Sequence, residues 1–280
     1  MRPTTLISAT ELATLAAAGE ALIVDCRFDL ADPERGAREY AQAHIPGAVY
    51  ADLNRDLSDL SKTGLGRHPL PDAERFAAVL RRLGWTPQTP VVAYDDANGT
   101  LAAARLWWML KLVGQRDVAV LDGGLAAWRA AGLPLRAGLE SRPPTEVAVH
   151  FDERRVVDTA ELRELLQNPH FLLLDARAAA RFRGESEPID PVAGHVPGAR
   201  NRPFSENLAA DGRFKPAATL RAEFAALLAG RDPAEVVHMC GSGVTACHNL
   251  LAMEHAGLTG SRIYAPSWSG WLRAGGEAAT

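Results

Sequence analysis

The chain has 280 residues, 47% of them hydrophobic and 23% charged, with a formal net charge of −4. That is the composition of a water-soluble chain with material for one large core or two of ordinary size. The mild acidity argues against nucleic acid as a partner, and no apolar run approaches the ~20 residues needed to span a bilayer, which argues against the membrane.

From the amino terminus, Met1 to Ala18 mixes polar and apolar residues and shows neither a signal-peptide core nor an Arg-rich transit pattern. Ser8 to Ala18 predicts a short helix, with Ser8 or Thr10 as its cap and Glu11 in its first turn. Ala21–Arg27 (Ala-Leu-Ile-Val-Asp-Cys-Arg) reads as a buried strand ending in polar residues, followed further on by His44-Ile45-Pro46-Gly47-Ala48. Val91-Val92-Ala93-Tyr94-Asp95 is a second such strand, and Asp122-Gly123-Gly124 leads into Trp128. Between Arg136 and Val149, Gly138, Ser141, Pro143 and Pro144 break any periodicity, as a linker would.

Beyond that linker the pattern repeats. Phe171–Arg177 echoes the first strand, with Asp175 lying 150 positions after Asp25. Gly194-His195-Val196-Pro197-Gly198 echoes the turn around His44, and Val236–Cys240 echoes Val91–Asp95. Matched segments in one order at nearly one offset mark a duplication. Each copy alternates short apolar strands with amphipathic helices, which predicts an α/β fold with a mainly parallel sheet covered by helices on both faces. The expected domains are 1–140 and 150–280. Asp25, Asp175, His44 and His195 occur in both copies and are therefore expected to be structural.

The second copy carries the one stretch with reactive chemistry. An apolar run ends at Cys240, Gly241-Ser242-Gly243 follow, and a helical pattern begins near Val244. Glycines let consecutive backbone N–H groups turn inward, and a helix start adds unsatisfied N–H groups and the positive end of its dipole. Such a ring of donors favours a thiolate and any anion beside it. Cys247, two turns into the helix, has no such loop and reads as a core residue. With Cys26, the three cysteines make an odd count, which points to a reducing compartment and hence the cytoplasm. A cysteine phosphatase would need an arginine where Ala246 stands. A zinc site from His238, Cys240, Cys247, His248 and His255 lacks any C-x2-C pair, so no metal is expected.

Cys240-Gly-Ser-Gly-Val-Thr-Ala246 resembles the active-site loop of the rhodanese superfamily of sulfurtransferases, and the Gly-Ser-Gly form is similar to that of 3-mercaptopyruvate sulfurtransferases. The resemblance implies two tandem rhodanese-like domains, the first catalytically silent because Asp95 stands where the second has Cys240. It implies a sulfur relay needing no cofactor, in which Cys240 takes sulfur from a small anionic donor, 3-mercaptopyruvate in preference to thiosulfate. Gly241, Ser242, Gly243, Val244 and Thr245 would cradle the persulfide, and a thiol such as thioredoxin, or cyanide, would remove it. A persulfide carrier without efficient turnover is the rival of another class. The family's donor-binding arginine falls on Arg181, with Arg183 directed elsewhere. His68 resembles a histidine that shares a proton relay with the loop serine, here Ser242. The family's acid falls near Asn54, so Asp52 or Asp56 would have to replace it. A second family arginine, expected after Glu187-Pro188, is replaced by Ile189-Asp190, which leaves Arg202 or Lys215 as substitutes and favours thiosulfate. Trp268 and Trp271 are expected to pack under or beside the Cys240 pocket, as core residues.

Overall fold

The computed structural model describes residues 4–280; Met1, Arg2 and Pro3, part of the amino-terminal stretch read above, lie outside the described residues. The described chain divides into two compact units. The first holds the residues up to Asp59 together with Pro71–Asp152 and Asp211–Arg213. The second holds Leu60–Leu70, Glu153–Ala210 and Phe214–Thr280.

In the first unit, strands β1 (Leu6–Ile7), β2 (Leu22–Asp25), β3 (Val49–Tyr50), β4 (Val91–Tyr94) and β5 (Val118–Leu121) form one sheet in the order β1-β5-β4-β2-β3. In the second, β6 (Val156–Val157), β7 (Leu172–Asp175), β8 (Arg200–Asn201), β9 (Val236–Met239) and β10 (Arg262–Tyr264) take the order β6-β10-β9-β7-β8. Every pairing in both sheets is parallel, and the two orders are the same permutation, so the duplication read from the sequence is a duplication of topology. Parallel strands need crossover helices, and these cover both faces of each sheet. The central strands are accordingly buried on every residue. At about 1.5–3 kcal/mol per buried large apolar side chain, each sheet carries much of its unit's stability.

Local signals explain where elements start. Ser8 caps the helix Ala9–Ala18 by accepting from the Glu11 amide, while the Glu11 carboxylate reaches back to Ser8 N, so Ser8 rather than Thr10 is the cap. Asp158 caps Thr159–Leu165 in the second unit by accepting from the Glu161 amide, without the return bond. Asp25 and Asp175, one in each copy, end their strands under a bidentate partner, Arg27 and Arg177, with N–O contacts of 2.7 Å in both cases. Each pair is fully buried, and each guanidinium also donates to a carbonyl, Ala43 O or Gly194 O. Paired and hydrogen-bonded in this way, they rivet strand to turn. His44 and His195 hold carbonyls of Tyr40 and Phe182 at 2.8 Å.

Candidate active site

Each sheet places its most telling residue one step beyond the carboxyl end of a central strand, where open parallel sheets form their crevices. In the second unit that residue is Cys240, directly after β9. Its backbone is clamped: the Cys240 amide donates to Ser267 Oγ at 3.1 Å, and its carbonyl accepts from the Trp268 amide at 2.9 Å. Ser267, which the sequence did not single out, adopts φ +53° and donates its hydroxyl to Tyr264 O. A non-glycine residue in that region is strained, and the turn it closes brings its hydroxyl to the Cys240 amide.

The loop curls as its glycines predict. Gly243 sits at φ +77°, and a Cβ there would lie 2.4 Å from Ala265 O. The helix begins at Ala246, two residues later than the apolar pattern suggested, with Thr245 as a cap that makes no side-chain bond. Among the described residues, no acceptor takes the amides of Gly241, Ser242, Val244, Thr245 or Ala246. Those N–H groups follow directly on a cysteine that is 2% exposed. Buried amides without partners are rare in folded proteins, so this nest is suited to an anion.

Two further predicted residues come to this loop. His68 belongs to the Leu60–Leu70 segment, which packs into the second unit. Its Nδ1 lies 2.8 Å from Ser242 Oγ, both side chains being buried. The segment is pinned by Arg273 donating to Gly66 O and by the Arg67 amide donating to Ser269 Oγ. Arg181, on the short helix Ala179–Phe182, is one-sixth exposed and grips Glu187 through Nε and Nη2, the closest contact being 2.7 Å. Burial alone would raise the Glu187 carboxyl, but Arg181 and the amides of Asp190 and Ile189 outweigh it and hold the group below its ordinary range. Arg183, by contrast, pairs with the exposed Glu185.

Other candidates are engaged elsewhere. Arg202 binds Glu206 and Glu223, and Lys215 binds Glu223, so neither supplies the missing second arginine. Asp52 caps the amides of Asn54 and Arg55, and Asp56 accepts from the Asp52 amide and pairs with Arg82. The residue the sequence overlooked is Arg67: its guanidinium meets Asp190 at 2.7 Å, and it is the nearest neighbour of a Cβ built on Gly241, at 3.1 Å. Trp268 and Trp271 are core residues, and the Arg177 guanidinium stacks over Trp268 at 4.7 Å. Cys247 is buried and donates to Gly243 O. His238 and His248 are wholly buried, which pulls both imidazoles down to about 3, and they contact Ser261 and Asn207.

The first unit holds an internal counterpart. Asp95, one residue beyond β4, is fully buried and accepts from the amides of Ala97, Gly99, Leu101 and Ala103, the shortest at 2.7 Å. Its own carboxylate thus fills the kind of amide nest that surrounds Cys240. Burial pushes this carboxyl up to about 6, against the lowering effect of those amides. Between about pH 4 and 6 the folded protein holds the proton and the unfolded chain has released it. Asp95 therefore costs nothing below pH 4 and progressively more as pH rises through 6. Relative to Asp95→Asn, wild-type unfolding free energy should fall by about 3 kcal/mol between pH 4 and 7 and then level off, two pKa units at about 1.4 kcal/mol each. Urea unfolding at four pH values measures this, and parallel curves would contradict it.

The similarity of the chain to known proteins agrees with this doubled layout. The family model described as Rhodanese-like domain matches residues 8–131 and again 158–274. A Pseudomonas aeruginosa protein bearing the name "Probable 3-mercaptopyruvate sulfurtransferase" is 51% identical, over 95% of this chain and 94% of its own length. A Mycobacterium tuberculosis protein with the provisional name thiosulfate sulfurtransferase SseB is 41% identical over 95% of this chain and 93% of its own. Among solved structures, the 3-mercaptopyruvate sulfotransferase SseA of Escherichia coli superposes with a TM-score of 0.83 at 34% identity, covering 95% of this chain and all of that one. The same fold in tandem, a matching family model on both copies and relatives alike over nearly the whole length lead to one conclusion: the chain belongs to the rhodanese family and is a sulfurtransferase.

Proposed function

We propose that the chain transfers the sulfur of 3-mercaptopyruvate through a persulfide on Cys240. Arg181 anchors the donor carboxylate. The Cys240 thiolate attacks the donor's sulfur, forming an S–S bond while the donor's C–S bond breaks. The electron pair of that bond goes to carbon as the enolate of pyruvate. A proton then completes pyruvate, and it is equivalent to the one the donor's thiol gives up. The Ser242–His68 pair carries it: the hydroxyl is the near end and the imidazole the reservoir. The persulfide rests in the nest of amides at Gly241, Ser242, Val244, Thr245 and Ala246, which stabilise charge developing on sulfur. A thiol, as on a thioredoxin-type protein, or cyanide then attacks the outer sulfur and frees the cysteine.

The observation that carries this reading is the 2.8 Å contact of His68 with Ser242, two residues from the cysteine. Thiosulfate transfer moves no proton: the outer sulfur goes to cysteine and sulfite leaves with the bonding pair. A proton-carrying pair beside the loop serves mercaptopyruvate alone. His68→Ala should therefore lower kcat/KM for mercaptopyruvate about 10²-fold and that for thiosulfate by less than about threefold. Steady-state assays with both donors decide it, and equal losses would refute the relay.

One observation favours thiosulfate as donor: no arginine follows Glu187-Pro188. The ratio of kcat/KM values for the two donors in the wild-type enzyme distinguishes the readings.

A further inference from the structure

Beside the Cys240 loop, two guanidinium groups share one carboxylate. Asp190 receives Arg67 Nη1 on Oδ1 at 2.7 Å and Arg181 Nη2 on Oδ2 at 3.1 Å, with Arg67 Nη2 a further 3.5 Å from Oδ2. Asp190's side chain is 3% exposed, so the bridge is largely withdrawn from water. Both guanidinium groups lie against Gly241: a Cβ built there would stand 3.1 Å from Arg67 Nη2 and 3.7 Å from Arg181 Nη1. A side chain at 241 would crowd Arg67 by a few tenths of an ångström, while Arg181 stands at ordinary contact distance.

Two details point outward from this cluster to a ligand. Arg67 Nε is buried and donates to no acceptor among the described residues, an unmet demand in an otherwise satisfied group. Arg67 and Asp190 also line a cavity of about 610 Å³ that Ile189, Val192, Ser269 and Arg273 help to enclose. A small anion entering there meets Arg67, which Asp190's carboxylate links to Arg181.

We propose that Arg67 is the second donor-anchoring guanidinium of the site, and that Asp190 sets the charge of the donor accepted. This rests on the reading of Cys240 as the sulfur acceptor. The arginine missing after Glu187-Pro188 is replaced from a different segment of the chain, seven residues after Leu60 rather than next to Pro188. Formally, Arg67 and Arg181 are balanced by Asp190 and Glu187. Such a site tolerates one added negative charge better than two, because the repulsion from Asp190 acts on each unit of ligand charge. Mercaptopyruvate carries one negative charge and thiosulfate two. Any factor by which Asp190 weakens a monoanion is therefore about squared for a dianion.

Asp190→Asn keeps the shape and one acceptor while removing the charge. It should raise kcat/KM about fivefold for mercaptopyruvate and about 25-fold for thiosulfate, so the thiosulfate-to-mercaptopyruvate ratio rises about fivefold. Arg67→Gln removes a positive charge and should move the same ratio down by about fivefold, through KM rather than kcat. Thermal unfolding of both variants shows whether the fold is kept, and the opposed shifts protect the test against a variant that is merely damaged. Ratios that stay fixed, or that move in the same direction in both variants, would overturn the proposal. If wild-type protein loads Cys240 with sulfur and the ratios stay fixed, the assignment of Arg67 and Asp190 fails alone. If neither donor loads Cys240 in the wild type, the sulfur-acceptor reading fails and this assignment goes with it.

Discussion

Cys240→Ser is expected to abolish sulfur transfer, a loss of about 10⁴-fold or more, while Cys247→Ser keeps most of it. The two residues lie in one strand–loop–helix segment and are both buried, so burial does not separate them. Their surroundings do. Cys240 stands at the strand end among amides without acceptors, whereas Cys247 Sγ lies 3.4 Å from Gly243 O, inside the helix. A serine at 240 keeps the shape but not the polarisable sulfur nucleophile, and it cannot hold a second sulfur. A serine at 247 can make the same hydrogen bond to Gly243, at a stability cost of about 1–2 kcal/mol. Comparable losses in the two variants would remove Cys240 as the nucleophile.

Gly243→Ala should reduce activity by about 10²–10³-fold, and far more than Gly241→Ala. At 243 the backbone is left-handed, which costs an L-residue about 1–2 kcal/mol, and the new methyl would lie 2.4 Å from a backbone carbonyl, Ala265 O. Backbone cannot swing aside as a side chain can, so the loop itself must shift and its amides lose their aim. Losing one aligned donor at a site of developing charge costs a factor of this size. At 241 the neighbours are the ends of Arg67 and Arg181, 3.1 and 3.7 Å away, which can give by a few tenths of an ångström. The expectation there is a severalfold rise in donor KM. Equal kcat losses in the two glycine variants would show that the loop's backbone geometry does not matter.

Much of this was legible in the sequence, for identifiable reasons. Apolar runs at β2, β4, β7 and β9 and the paired Pro-Gly turns repeat at nearly one offset, and a repeated pattern predicts a repeated topology. Cys240 announced itself because glycines and a helix start follow it at once, a local signal needing no tertiary knowledge. The juxtaposition of His68 and Ser242, 174 positions apart, came only from the resemblance; no spacing rule yields it. Arg67 was missed because its significance lies in contacts with Asp190 and Gly241, both far along the chain. The loss of the arginine after Pro188 was visible, but its candidate replacements, Arg202 and Lys215, are bound to Glu223. Nor could local pattern show that Leu60–Leu70 groups with the second unit, since an irregular segment takes its place from a few distant bonds such as Arg273 to Gly66. The strain at Ser267 was equally hidden, as a serine at a helix start is ordinary in sequence.

The central claim is that one thiol takes up and releases sulfur. Intact-protein and peptide mass spectrometry after incubation with mercaptopyruvate, and separately with thiosulfate, tests it most directly. The account predicts one added sulfur atom on the peptide containing Cys240, none on Cys26 or Cys247, and its loss on brief exposure to cyanide. An unmodified Cys240 peptide, or sulfur on either of the other cysteines instead, would contradict it.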